Sequence, residues 1–169
     1  HHPSPGDVEQ YAYDDRVPGF ALAPGVDGMP DAATVAMLEE VGLPLVVHGG
    51  RSFPPEAVAE SLLDHDFPVI LGGFGGYPLD RGLMADAIDL LDRYDRLYLD
   101  TAHVQFRSVL ERALLEHPDR VLFGSGAPEV HPNVSAMELL TLDVPEDAMR
   151  RVFSANPSRV VAGLAPGEP

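Results

Sequence analysis

Five short apolar runs recur along this chain at nearly constant spacing, and that repeat restricts the available folds more than any other feature. The runs begin near Gly19, Pro44, Pro68, Arg96 and Arg120, at intervals of 25, 24, 28 and 24 residues. Each interval holds a strand, a helix-period stretch and two loops, which implies parallel strands joined by right-handed crossovers. Residues 43–47, 69–71 and 121–123 are continuously apolar, as expected of strands covered on both faces. Strands are therefore expected near residues 19–23, 44–48, 68–72, 96–100 and 120–124.

The intervening stretches read as amphipathic helices. Over 83–94, Met84, Ala87, Ile88 and Leu91 form one stripe while Asp86, Asp89 and Asp92 lie off it. Over 106–117, Leu110, Ala113, Leu114 and His117 repeat the pattern. Asp31 suits the N-cap of a helix over 32–41, and Pro54 and Pro55 open the next one, where a missing N–H costs nothing. Met37 and Met84 read as core fillers. The chain reads as one α/β domain over 1–169, with 1–6 as a flexible or tag-derived lead and 166–169 as a tail.

Four strand-end segments carry more than a fold. They read Leu-Pro-Leu-Val-Val-His48-Gly-Gly, Val69-Ile-Leu-Gly-Gly73-Phe-Gly-Gly, Leu97-Tyr-Leu-Asp100-Thr and Val121-Leu-Phe-Gly-Ser-Gly126-Ala-Pro. In this order they resemble the C-terminal part of the amidohydrolase-2 family of metal-dependent hydrolases and decarboxylases. The resemblance runs from about Asp7 to Leu164, and Val152-Phe-Ser-Ala-Asn156-Pro-Ser-Arg159 looks like that family's closing helix, with Asn156 as its cap and Pro157 at its first position.

The resemblance implies a TIM barrel, and five units make it a partial (β/α)8 barrel, since a full one typically has ~250 residues. It also implies a metal ligand at His48, the matching position. The family shows Leu-Gly-His-x-Gly-Gly and Gly-Ser-Asp-x-Pro where this chain has Gly73 and Gly126, and its first-strand His-x-His has no counterpart here. A catalytic zinc takes about three protein ligands, so no metal is expected at the family position and no cofactor is expected overall. Zinc in a rearranged site of His48, His103 and His131 with Glu129 or Asp100 is the alternative.

In parallel α/β folds sites lie at the carboxyl ends of the strands. That rule gathers His48, Arg51, residues 72–76, Asp100, Thr101, His103, Ser125, Glu129 and His131 on one rim. His48, Asp100, His103 and His131 are the candidate catalytic groups; Arg51, Gly75, Gly76 and Glu129 are the candidate ligand contacts, with Arg51 as the anion contact. Ser125 lacks the spaced Gly-x-Ser-x-Gly of a nucleophile elbow. His65 and His117 fall at helix C-termini on the opposite face, where the helix dipole favours imidazolium.

Charge and cysteine content exclude several functions. Against 27 acidic residues stand 11 basic ones, a net charge of −16. Such a surface repels phosphate backbones and anionic membranes, so neither nucleic acid nor membrane is expected as a partner. Without cysteine there is no disulfide or thiolate site, which suits a cytoplasmic protein. No signal peptide is read at the first residues, and His1 and His2 are read as tag-derived or native without function. An open five-unit sheet exposes an edge, so a homo-oligomer or a second, barrel-completing chain is expected, with a small-molecule ligand at the rim. Two readings stay open: a hydrolase acting on a small amide, lactone or carboxylic acid, completed by a missing N-terminal part or partner chain, and a non-catalytic relative kept as a binding or partner subunit.

Overall fold

The computed structural model describes residues 2–161 and Leu164. Five strands form a single sheet in the order β1-β2-β3-β4-β5: β1 (Phe20–Leu22), β2 (Leu45–Val47), β3 (Val69–Leu71), β4 (Leu97–Asp100) and β5 (Val121–Leu122). Every neighbouring pair is parallel, with Phe20 beside Leu45, Leu45 beside Val69, Val69 beside Leu97 and Leu99 beside Val121. The five expected strands are thus all present and all parallel.

The helices follow local chemistry. Ser4 and Asp7 form a capping box at α1 (Pro5–Tyr11), so the segment read as a flexible lead is helical from Pro5 onward; His1 and the tail at 166–169 lie outside the described residues. A short α2 (Pro24–Asp27) follows β1. Asp31 caps α3 (Ala32–Val41) by accepting from the Thr34 N–H at 2.8 Å, and Gly42 ends it in the left-handed conformation. Pro55 opens α4 (Pro55–Val58), which runs on into a π-helical turn, Ala59–Leu63. Asp80 caps α5 (Arg81–Leu90), and α6 (Arg107–Glu116) buries Val109, Leu110, Ala113 and Leu114. His131 caps α7 (Pro132–Leu140) through Nδ1, and α8 (Glu146–Arg150) leads through a second π-helical turn, Arg151–Ala155, into α9 (Asn156–Val160).

Alternation along the strands divides the core in two. Leu45, Val47, Val69, Leu71, Leu97, Leu99 and Val121 face the helices and join the main apolar cluster. Ile70 and Leu122 form a smaller cluster with Val160, and Val46 and Tyr98 pack against it half-buried. The expectation that both faces are covered therefore holds for β3 and β5, buried throughout, whereas in β2 Val46 is only half-buried. On the second face Val160 of α9 packs with Ile70 and Leu122, and Val161 just after the helix packs against the same cluster.

The join between α9 and the sheet departs from the expected cap. The chain reaches Asn156 already helical, so its side chain has no helix start to serve. Its Nδ2 instead donates at 2.8 Å to the Pro118 and Val121 carbonyls, leaving Asn156 fully buried. The Val152 carbonyl accepts from the Phe123 N–H at 2.9 Å; Pro157, five residues on, has no N–H to offer it. Replacing Asn156 with Ala strands the buried Val121 carbonyl and the partly buried Pro118 carbonyl, and each lost partner costs about 1–3 kcal/mol. Urea unfolding of Asn156→Ala is expected to show a loss of at least about 2 kcal/mol, whereas a change within about 0.5 kcal/mol, typical of a surface site, contradicts this role.

Candidate functional site

Two residues beyond the inner layer of Val46, Ile70, Tyr98 and Leu122, the same face of the strands carries His48, Gly72, Asp100 and Gly124. These four positions form the floor of a cavity of about 550 Å³ at the carboxyl end of the sheet, with Tyr77, His103, Gly126 and Glu129 among its walls. The rim rule thus located the cleft.

Asp100 is the centre of this floor. Its Oδ1 accepts the Gly73 N–H at 3.0 Å and the Ala102 N–H at 2.9 Å, tying the exit of β3 to that of β4. Its Oδ2 and the His48 Nδ1 border the space above Gly72; a Cβ there would lie 3.3 Å from the imidazole nitrogen and 3.7 Å from the carboxylate oxygen. A Cβ on Gly124 would stand 2.9 Å from Oδ1, so the carboxylate needs glycine beside it. Burial pushes the Asp100 carboxyl above its ordinary value of 3.8, and it outweighs the two N–H bonds and the nearby His48 and His103, which pull the other way.

Thr101, buried next to it, locks β4 to the following segment. Its hydroxyl donates to the Gly124 carbonyl and accepts from the Gly124 N–H, both at 3.1 Å. The Ser125 carbonyl accepts from the buried Ser135 hydroxyl at 2.8 Å, so Ser125 serves the frame and the start of α7. His48 is itself positioned by its backbone, whose N–H donates to the Leu22 carbonyl at 2.8 Å.

The remaining candidates separate. His103 borders the cavity with φ at 59°, its ring edge-on to Tyr77 with centroids 5.5 Å apart. His131 is spent as the cap of α7 and does not line the cavity. Among the described residues no three His, Asp or Glu side chains stand close enough to hold a metal ion, so the rearranged site of His48, His103 and His131 does not assemble. Glu129 lines the main cavity, and Arg51 lines a neighbouring hollow of about 250 Å³. Gly75 and Gly76 line neither; they are buried, Gly75 against Leu71 and Pro55 and Gly76 against Met84 and the Asp80 carbonyl. They are packing glycines rather than ligand contacts, because α5 starts directly over them. His65 pairs with Glu39 and stacks on Phe67, and His117 lies 3.7 Å from Asp92, both away from the cleft. Sequence reasoning missed Tyr77, whose only signal is its place directly after the glycine-rich turn.

At the two positions where the resemblance implies further ligands, the backbone accounts for the bare glycines. Gly73 and Phe74 sit at φ 57° and 53°, and a Cβ on Gly73 would meet the Ala102 carbonyl at 2.9 Å. Gly126 sits at φ 72°, where a Cβ would meet the His103 ring at 2.8 Å. The ring can move but the carbonyl is held by the Asp100 clamp. Left-handed backbone costs an L-residue roughly 1–2 kcal/mol, and at Gly73 the backbone clash adds to it. Chemical denaturation is therefore expected to find Gly73→Ala costing about 2 kcal/mol or more and Gly126→Ala about 1 kcal/mol, with the reverse order contradicting the account.

Comparison with known proteins agrees with this geometry. The chain is similar in structure to an uncharacterized TIM-barrel protein from Bordetella bronchiseptica (TM-score 0.76, 24% identity, 92% of this chain and 60% of that one). It is also similar to 2,6-dihydroxybenzoate decarboxylase from Rhizobium (TM-score 0.64, 13% identity, 92% and 66%). A third is dihydroxybenzoic acid decarboxylase from Polaromonas sp. JS666 with bound manganese and an inhibitor (TM-score 0.64, 14% identity, 92% and 64%). At these identities the likeness is one of fold, and the chain spans 60–66% of the length of these three structures. No curated protein matches the chain. The family model described as Amidohydrolase matches residues 3–162: this chain, a five-stranded part of a TIM barrel, belongs to the amidohydrolase family.

Proposed function

We propose that this chain carries the acid–base part of a hydrolase site for small amides, lactones or esters of carboxylic acids, with Asp100 as the proton-handling group and His48 beside it. The observation that carries the reading is the division of labour at Asp100: Oδ1 is committed to two backbone N–H groups, while Oδ2 borders the cavity next to the His48 imidazole. A carboxylate oriented by its backbone needs no further reorganisation to act, and a raised pKa brings it nearer the range in which proton transfer is efficient.

In this reading Oδ2 takes a proton from water as the water oxygen bonds to the substrate carbonyl carbon. The bond from that carbon to the leaving nitrogen or oxygen then breaks, and the proton held on Asp100 passes to the leaving atom. His48 donates a hydrogen bond to the carbonyl oxygen as it becomes negative. No step is routed through a metal: at the family position this chain offers His48 alone, with Gly73 and Gly126 bare, where a catalytic zinc takes about three protein ligands. The open side of the sheet, from β1 round to β5, is completed by further strands, from a second chain or from another part of a longer polypeptide; the greater length of the similar barrels supports this.

The bare Gly73 and Gly126 favour a second reading, a non-catalytic relative that keeps the cavity for binding. The two are separated by turnover of a panel of small amides, lactones and esters. The best substrate is expected to lose at least about 100-fold in rate in Asp100→Asn, the usual scale for a general base. The base must be ionised, so the wild-type rate rises with pH as Asp100 sheds its proton, and the raised pKa moves that rise above 3.8. Turnover that survives Asp100→Asn with the same pH profile contradicts the catalytic reading, and no turnover of any panel member supports the binding one.

A further inference from the structure

We propose that His103 is a further catalytic residue of this site, hydrogen-bonding the leaving atom of the substrate on the opposite side of Asp100 from His48. This rests on the hydrolase reading of the main cavity and gives a role to a group which that reading leaves idle.

The observation that carries the assignment is a strained residue whose strain no packing explains. Among the described residues, the non-glycine positions at positive φ are Phe74 at 53° and His103 at 59°. L-residues enter this region at a cost and stay there only where the surroundings hold them, commonly at functional sites. Phe74 is fully buried, so core packing offsets its conformation. His103 is only half-buried and lines the cavity. Neither of its ring nitrogens hydrogen-bonds to another of the described residues. Its edge-on contact with Tyr77, itself more than half exposed, offsets little.

Strand order sets the two imidazoles on either side of the carboxylate. His48 borders Asp100 Oδ2 across Gly72, towards β2. On the β5 side, Gly124 lies against Asp100 Oδ1, and two residues on Gly126 lies against the His103 ring. A Cβ on Gly126 would stand 2.8 Å from both Cε1 and Nε2. A ring carried by the exit of β4 thus fills the space of the side chain missing from the exit of β5. The main chain holds it there from both directions. The preceding Ala102 N–H clamps Asp100, while the following Val104 is buried and donates its N–H to the Thr101 carbonyl at 3.2 Å.

The order of imidazole, carboxylate and imidazole suits an acyl compound lying across the floor. With the carbonyl oxygen towards His48 and the proton on Asp100 in the middle, the leaving atom falls on the His103 side. An ester or lactone oxygen placed there has two lone pairs. One takes the proton from Asp100 as the carbon–oxygen bond breaks, and the other accepts a hydrogen bond from the imidazole N–H, which His103 keeps. The second ring nitrogen of a neutral imidazole is an acceptor, so the ring can equally receive the N–H of a leaving amide.

The test compares ethyl acetate with para-nitrophenyl acetate, which share an acyl group and differ in the help their leaving atoms need. Para-nitrophenolate departs as a stable anion; ethoxide does not. Asparagine tolerates left-handed backbone, so His103→Asn removes the ring without straining the turn, and glycine, free of strain at this φ, gives a second variant, His103→Gly, should the first not fold. With ethyl acetate, kcat/KM is expected to fall about 100-fold in the variant, the lower end of the range for positioned proton-handling groups. The loss with para-nitrophenyl acetate is expected to be at least about tenfold smaller, the scale of one hydrogen bond to a developing charge. Equal losses on the two esters, or no loss on either, overturn the role of His103; turnover of both that disappears in Asp100→Asn then leaves the hydrolase reading standing. Turnover that survives Asp100→Asn, or is missing from the wild type, sinks the hydrolase reading and the role of His103 with it.

Discussion

The rim of this sheet depends on one carboxylate. Asp100 leaves β4 and draws in the backbone of the turn after β3 through Gly73 and its own downstream backbone through Ala102. Around it the chain is stripped of side chains, since neither Gly72 nor Gly124 has room for one without crowding Asp100 or His48. Thr101 repeats the device on the other side by exchanging two hydrogen bonds with Gly124. The result is a floor made of backbone, one carboxylate and one imidazole.

That arrangement bears on the two positions where the family resemblance implies ligands. Gly73 is not simply a truncated histidine site: its left-handed backbone and the Ala102 carbonyl above it leave no ordinary path for a side chain. The same carbonyl belongs to the residue whose N–H bonds Asp100, so the clamp and the bare position are one structure. At Gly126 the space is taken by the His103 ring, itself on a residue at φ 59°. Non-glycine residues in this conformation gather where surrounding structure over-determines them, and His103 is held by Tyr77 on one side and Gly126 on the other.

Most of the fold was legible because strands covered by helices must be apolar and the unit length of a parallel repeat is nearly fixed. The Asp31 cap and the Pro55 helix start were equally plain, since each satisfies or lacks an identifiable N–H. Asn156 was misread because a cap and a buried bridge use the same side chain, and only the incoming helix decides between them. The same limit applies at the rim. His48, Asp100, His103 and Glu129 were placed correctly around one cavity by the strand-end rule. His131 shared that signal but went to capping α7, and Gly75 and Gly76 shared the glycine signal but lie under α5. Burial on the inner face was overestimated at Val46, half-buried between Leu45 and Val47, because strand sequences report their helix-facing side more strongly than a lumen that α9 covers only in part.

The central claim is that Asp100 is a desolvated carboxylate, anchored by one oxygen and presented by the other. The direct measurement is a carboxyl-carbon NMR titration of the chain, with the Asp100 resonance assigned by its loss in Asp100→Asn. The account predicts a midpoint above the ordinary value of 3.8, because burial disfavours the charged form more than the two N–H bonds favour it. It also predicts that the Gly73 and Ala102 amide protons shift with the same midpoint. A midpoint at or below 3.8, or amide shifts uncoupled from it, would contradict the account.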